Sequence, residues 1–62
     1  MRHDEFEGIC NSVSSGEEKR LKHIVTHQVG KIVAVNREDE FFEVDVDGRR
    51  KTWSKDNVKV LQ

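Results

Sequence analysis

Residues 41–53, FFEVDVDGRRKTW, contain the turn signal that decides the fold. Apolar and acidic residues alternate up to Asp47-Gly48, and an Asp-Gly pair readily supplies the two positive-φ positions of a type I′ turn. The stretch therefore predicts a β-hairpin, in which residues 41–46 and 50–54 form two antiparallel strands.

The length of this turn sets which side chains face each other. A two-residue turn pairs Phe42 with Trp53 and Asp45 with Arg50. A three-residue turn would bring Trp53 opposite Glu43, and such a shift moves every side chain to the other face of the sheet. We expect the two-residue turn because it places both aromatic rings on the inner face, where they anchor the core.

This register leaves three side chains in less usual places. Arg49 and Lys51 lie on the inner face beside the turn, from which long basic side chains reach solvent. Phe41 lies on the outer face, where its ring is either covered by a helix or free to contact a partner.

The period-2 pattern extends on both sides of the hairpin. Residues 29–35, VGKIVAV, are rich in β-branched residues and predict a strand, and the polar residues 36–40 suit the loop that follows it. After a turn at residues 55–57, the sequence VKVL at 58–61 predicts another strand. Residues 28–62 are thus predicted to form a four-stranded antiparallel meander.

Helical periodicity is confined to residues 4–27. The i, i+3, i+4, i+7 spacing of one helical face is occupied by Phe6, Ile9, Cys10 and Val13. This spacing predicts a short amphipathic helix over residues 4–14.

Residues 15–18, SGEE, fit a capping box and predict a second helix that continues to His27. Its buried stripe would consist of Leu21, Ile24 and Val25. One bent helix over residues 4–27 is the alternative.

Length and composition favour one small domain over residues 1–62, of the α+β class, with one or two N-terminal helices before the meander. A chain of 62 residues buries only about 60% of the surface that its unfolded form exposes, so its core is small. The one cysteine, Cys10, allows no internal disulfide, and no apolar run suits a signal peptide or a membrane span. We therefore expect a cytoplasmic protein without membrane contact.

A spacing of the form Cys-x12-His-x3-His relates Cys10, His23 and His27 and reproduces the second half of a C₂H₂ zinc-finger pattern. The sequence lacks the cysteine that should precede Cys10 by two to four positions. We therefore expect no metal site, and we interpret Cys10 as a core residue of the first helix. The acidic residues at 45–47 likewise lack the further oxygen ligands of a calcium loop.

Catalytic motifs are missing from the sequence. It contains no nucleophile elbow, no phosphate-binding glycine loop and no complete catalytic triad. Neither an enzymatic activity nor a cofactor is therefore expected.

A basic cluster, Arg49-Arg50-Lys51, follows the central turn, and Trp53 lies beside it. Basic residues next to an aromatic ring are typical of surfaces that contact phosphate and stack a base. Neighbouring carboxylates offset the cluster, and the net charge of −1 gives no overall attraction to nucleic acid. Nucleic-acid binding, with Lys55 and Lys59 extending the cluster, is therefore the second function that we consider.

Four short motifs shape the second half of the chain, namely VGKIV at 29–33, VDVDG at 44–48, Trp53, and VKVL at 58–61. In these motifs the chain resembles the small SH3-like barrels of the Tudor and KOW type. The resemblance implies a partly open barrel that works as a binding module. It also implies a fifth, short strand, for which the sequence offers no clear candidate. The aromatic cage of Tudor domains is incomplete here because tyrosine is absent.

These observations predict a small, non-enzymatic binding or adaptor module whose partner is a protein. Its binding surface would combine an apolar patch with a basic rim, and consist of Phe41, the edge of Trp53, Arg49, Arg50, Lys51 and Lys55. The third function that we consider is a structural one, in which the apolar face of the first helix is buried in a homodimer.

Overall fold

The computed structural model describes residues 1–61 and consists of one helix followed by five antiparallel strands in one open sheet. The elements are α1 (His3–Ser14), β1 (Arg20–His23), β2 (Val29–Asn36), β3 (Phe41–Val46), β4 (Arg49–Ser54) and β5 (Val58–Leu61). A 3₁₀ turn at Lys55–Asn57 leads into β5, and the strand order is β4-β3-β2-β1-β5. The predicted α+β class is confirmed, with one helix and with five strands instead of four.

The central hairpin has the predicted register. Phe42 lies opposite Trp53, and Asp45 lies opposite Arg50. Asp47 and Gly48 both have positive φ, 53° and 82°, as a two-residue type I′ turn requires. The register prediction is confirmed, and Trp53, with 6% of its surface exposed, belongs to the core.

The second helix predicted from residue 15 is wrong, because α1 ends at this point. Gly16 adopts a φ of 89°, and its amide donates to the Val13 carbonyl at 3.0 Å. The Glu17 amide donates to the Ser12 carbonyl, also at 3.0 Å. These two bonds form a Schellman motif, which terminates a helix at a glycine. Residues 15–17 therefore form the C-terminal cap of α1, and no second helix begins there.

The segment predicted as the second helix contains β1 instead. Leu21 is fully buried, whereas the side chains on either side of it in the sequence lie on the outer face. β1 pairs with β2 on one side and with β5 on the other, so it joins two strands that lie far apart in sequence. β1 is the additional strand that raises the number from four to five, and the sequence alone did not reveal it.

The core lies between α1 and the inner face of the sheet. Phe6 of α1 meets Phe42 of β3 edge to face, with ring centroids 5.3 Å apart. The other buried residues are Ile9, Cys10, Leu21, Ile32, Val44, Val46, Trp53 and Val58. The apolar face of α1 is thus covered by the sheet of its own chain, and the homodimer considered from the sequence would have to use another surface.

β2 passes unusually close to β3. A Cβ atom at Gly30 would lie 3.0 Å from the Val44 Cβ and 3.0 Å from the Val46 Cγ2. Further along, the β2–β3 register shifts between Ile32 and Ala34, which is a β-bulge. Gly30 therefore leaves room for the side chains of Val44 and Val46, and the bulge gives β2 a local bend and extra twist.

None of the helices in residues 1–61 has both the length and the apolar character needed to cross a membrane.

Candidate functional site

The hairpin that joins β1 to β2 has a four-residue loop, Ile24-Val25-Thr26-His27. The His23 amide donates to the Gln28 carbonyl at 2.8 Å, and the His27 amide donates to the His23 carbonyl at 2.9 Å. His27 has a φ of 62°, in the left-handed region. A helical turn that ends in a left-handed residue is a common way to close a loop of this length.

His23 holds this loop against the core. Its Nδ1 accepts hydrogen bonds from the Val25 and Thr26 amides, at 3.2 and 3.3 Å. Its ring lies against Trp53, with centroids 5.0 Å apart and an angle of 63° between the ring planes. Because Nδ1 accepts both bonds, this geometry assigns the ring proton to Nε2. The loop is therefore fixed to the buried tryptophan by one side chain.

Three aliphatic side chains remain exposed around the loop. Ile24 is 49% exposed, Val25 71% and Val29 43%. We call these three residues the tip patch. Turns favour Gly, Asn, Asp, Ser and Pro, so the turn conformation does not explain why branched apolar residues occur at this hairpin tip. Their exposure shows that the core does not explain them either.

Basic side chains adjoin the tip patch on the outer face of the sheet. Lys22 of β1 lies between Val29 of β2 and Lys59 of β5. In the next row, Arg20 lies opposite Lys31. We call Lys22, Lys59, Arg20 and Lys31 the basic rows. Like charges that face each other directly across strands are destabilising, so these pairs lower the stability of the fold.

The two basic rows differ in their carboxylate neighbours, because Asp45 of β3 lies directly opposite Lys31 whereas the row of Lys22 and Lys59 has Val29 in the corresponding direction. Residues 19–36 include four basic residues and no acidic one. Within residues 1–61, Lys31 pairs with Glu18 at 3.0 Å, whereas Lys22 and Lys59 form no ion pair. The positive charge of these two lysines is therefore directed at solvent.

The predicted basic cluster lies on β4, which is at the opposite end of the strand order from β5. Arg49, Arg50 and Lys51 are all exposed there. Trp53 is buried and so cannot share a surface with them, and Phe41 is half-buried on the outer face. The structure therefore separates the basic residues from the aromatic ring that the sequence places beside them.

Lys55, the remaining residue of the predicted surface, is held in contacts within the fold. Only 18% of its side chain is exposed, and its Nζ lies 3.1 Å from a Glu40 carboxylate oxygen. The hydrogen bond to Glu40 raises the pKa of Lys55. The Lys55 carbonyl also accepts a hydrogen bond from the Met1 amino group at 3.0 Å. Lys55 thus ties the 3₁₀ turn to Glu40, in the loop before β3, and to the N-terminus.

The three metal-ligand candidates have separate environments. Cys10 is a buried free thiol on α1, and burial raises its pKa. His23 packs on Trp53, and His27 is exposed at the end of the loop. The two histidines do not lie on one face of a helix, which the zinc-finger comparison requires. In the described part of the chain, no group of three or more His, Cys, Asp or Glu side chains is placed to hold a metal ion.

A concave surface lies between α1 and β5. This groove has a volume of about 510 Å³, and its apolar lining includes Ile9, Val60 and Leu61. Gly8 also lines it, and no atom lies within 4 Å of where a Cβ on Gly8 would be. The groove is wide and open, and among residues 1–61 its lining also includes Glu5, Ser12 and Lys19.

Comparisons of the chain with protein-family models, with curated proteins and with solved structures found no match. Its candidate sites are therefore argued from their own geometry. The tip patch was missed in the sequence because Leu21, Ile24 and Val25 have helical spacing. The signal that could have revealed it was the restart of strand alternation at Arg20, next to a loop without any usual turn residue.

Proposed function

We propose that this chain is a small, non-enzymatic binding module that contacts a protein partner through the tip patch. The observation that carries the proposal is the exposure of Ile24 and Val25 on a loop whose amides His23 hydrogen-bonds, next to the exposed Val29 at the start of β2. Exposed aliphatic side chains on an ordered loop lose little entropy on binding and gain by leaving water.

The proposal includes the SH3-like barrel as its architecture. In this proposal, β1 is the short strand that the resemblance implies. It pairs with β5, so the first and the last strand along the chain are neighbours. The bulge in β2 supports a curled sheet over a flat one, because a bulge bends its strand and increases the local twist. We also propose a cytoplasmic, reducing setting, which is supported by the single buried free thiol of Cys10.

The experiment compares wild-type protein with two matched valine variants, Val25→Ser in the tip patch and Val33→Ser on the β2 bulge. Val33 is 41% exposed and is the same residue type, but it lies outside the loop. Each immobilised protein is used for affinity capture with quantitative mass spectrometry.

We expect a partner that binds wild type and the Val33→Ser variant equally. Its affinity for the Val25→Ser variant should be about tenfold weaker, the effect of losing one valine side chain from a buried contact. Partners captured equally by all three proteins would contradict the proposal, provided that all three have the same thermal stability.

The second candidate function is nucleic-acid binding through Arg49, Arg50 and Lys51. It is favoured by the exposure of all three side chains, none of which forms an ion pair within residues 1–61. Such binding would weaken steeply as salt concentration rises. Amide resonances of β4 that stay unchanged when an oligonucleotide is added at low salt would exclude it.

A further inference from the structure

Ile24 and Val29 of the tip patch adjoin Lys22 and Lys59 on the outer face of the sheet, and Val25 follows Ile24 in the loop. Val29, Lys22 and Lys59 are direct neighbours across β2, β1 and β5. Side chains that are direct cross-strand partners lie on the same face. Ile24 extends this surface by one position, because its amide donates to the Asn57 carbonyl at 2.8 Å and so continues the β1–β5 pairing.

The facing lysines are the part of this surface that the fold does not explain. Lys22 and Lys59 repel each other, and each would be more favourable opposite a carboxylate. Sequences usually avoid such pairs unless another requirement maintains them. A bound group with negative charge would remove the repulsion and would gain from both ammonium groups at once.

The neighbouring side chains distinguish between the two classes of anionic macromolecule. Binding of single-stranded nucleic acid relies on exposed aromatic rings, but Phe6, Phe42 and Trp53 are buried and Phe41 is half-buried. The net charge of −1 also disfavours a polyanion. The residues that do adjoin the lysines are aliphatic, and they match the side chains of a protein segment.

From this arrangement we infer that the partner contributes an acidic–aliphatic segment. Its aliphatic side chains contact Ile24, Val25 and Val29, and its carboxylates pair with Lys22 and Lys59. This inference rests on the proposed function, since it specifies the chemistry of the partner at the same site.

The test begins with a phage-displayed library of random twelve-residue peptides, panned on wild-type protein and counter-selected on the Val25→Ser variant. We expect the enriched peptides to combine at least two Asp or Glu residues with Leu, Ile or Val. The affinity of the most enriched peptide is then measured by fluorescence anisotropy at 50 and 200 mM NaCl, concentrations chosen to span the range over which charge contacts weaken.

Two charge reversals provide the matched comparison. Lys22 lies at the centre of the basic surface, whereas Arg2→Glu makes the same change of charge at the exposed residue before α1. We expect Lys22→Glu to weaken peptide binding about tenfold and to reduce its salt dependence, since it removes one ion pair and introduces repulsion. Arg2→Glu should change the affinity by less than about twofold.

A stability measurement separates function from folding. Lys22→Glu places a carboxylate opposite Lys59, so the midpoint of urea denaturation should rise while peptide binding falls. A peptide in which Lys replaces the acidic residues should regain affinity for the Lys22→Glu variant. Restored binding of this kind would not follow from a purely structural role of Lys22.

The results distinguish failure of the inference from failure of the proposed function. Enriched peptides that depend on Val25 but are neutral or basic would overturn the inference alone. Equal effects of Lys22→Glu and Arg2→Glu would also overturn it. Binding of a 20-nucleotide DNA probe that is abolished by Lys22→Glu would assign the lysines to nucleic acid instead. If panning yields no peptide whose binding depends on Val25, the proposed function itself is overturned.

Discussion

The two hairpin tips of this sheet differ in the types of residue that form them. The β3–β4 tip consists of Asp47 and Gly48, which adopt positive φ at low cost, and both residue types are those that turns favour. The β1–β2 tip has branched aliphatic residues at Ile24 and Val25 and a left-handed histidine at its end. The backbone accounts for every residue of the first tip. It accounts for none of the aliphatic residues of the second, which is why our proposal places a binding role at the second tip.

The largest effect is expected when the β3–β4 tip is given the residue type of the other tip. The double variant Asp47→Val/Gly48→Val places two branched residues at positive φ. Each left-handed residue costs about 1–2 kcal/mol, so the free energy of unfolding should fall by about 2–4 kcal/mol. That is a large part of the roughly 3–9 kcal/mol expected for a chain of this length. Urea denaturation followed by Trp53 fluorescence would measure it.

Asp47→Asn is the control for this experiment. Asparagine tolerates the left-handed region as well as aspartate does, so the free energy of unfolding should change by less than about 0.5 kcal/mol. A double valine variant as stable as the control would mean that the turn does not determine the register of the hairpin.

The same contrast explains how much the sequence predicted. The central hairpin depends on local signals, and its turn, its register and the burial of Phe42 and Trp53 were all predicted correctly. β1 depends on pairing with β2 and β5, and the contact between Leu21 and Val60 spans most of the chain. Local periodicity cannot report such a contact. Leu21, Ile24 and Val25 were therefore read as a helical stripe, and the tip patch was hidden inside it.

The site residues show a related limit. Arg49, Arg50 and Lys51 are exposed as expected, but the edge of Trp53, which was expected to contribute to the same binding surface, is buried. Lys22 and Lys59 are separated by 36 residues, and only the β1–β5 register brings them opposite each other. No spacing rule in the sequence predicts a like-charged pair of this kind.

The next largest effect concerns the contact between the two hairpins. Gly30→Ala would place a Cβ at 3.0 Å from side-chain atoms of both Val44 and Val46. These valines are buried and cannot move far, so overpacking should lower the free energy of unfolding by about 1–3 kcal/mol. Thermal denaturation followed by circular dichroism would measure the loss.

Gly8→Ala is the matched control, because it adds the same methyl group where no atom lies within 4 Å. Gly8 is in the interior of α1, where alanine is favoured over glycine by about 1 kcal/mol. The two substitutions should therefore have opposite signs. A destabilising effect of Gly8→Ala would show that the α1–β5 groove is more closely packed than its geometry indicates.

A smaller effect is expected at the end of the β1–β2 tip, where His27 has a φ of 62°. His27→Gly relieves about 1–2 kcal/mol of left-handed strain. The greater freedom of glycine in the unfolded chain offsets part of this gain, by about 0.5–1 kcal/mol. The net result should be a stabilisation of about 0.5–1 kcal/mol, measured by urea denaturation. His27→Asn should be intermediate, and a loss of stability in both variants would mean that the imidazole makes a contact of its own.

The smallest effect on stability is expected at Val25, the residue on which the contrast between the two tips depends most. Because 71% of its surface is exposed, Val25→Ser removes little buried apolar area, and serine is a favoured turn residue. The free energy of unfolding should change by less than about 0.5 kcal/mol, as in the Val33→Ser control. A larger loss, measured by urea denaturation of both variants, would show that Val25 supports the fold. In that case packing within the fold, and not a binding partner, would explain why Val25 is at this position. The two tips would then differ in packing and not in function.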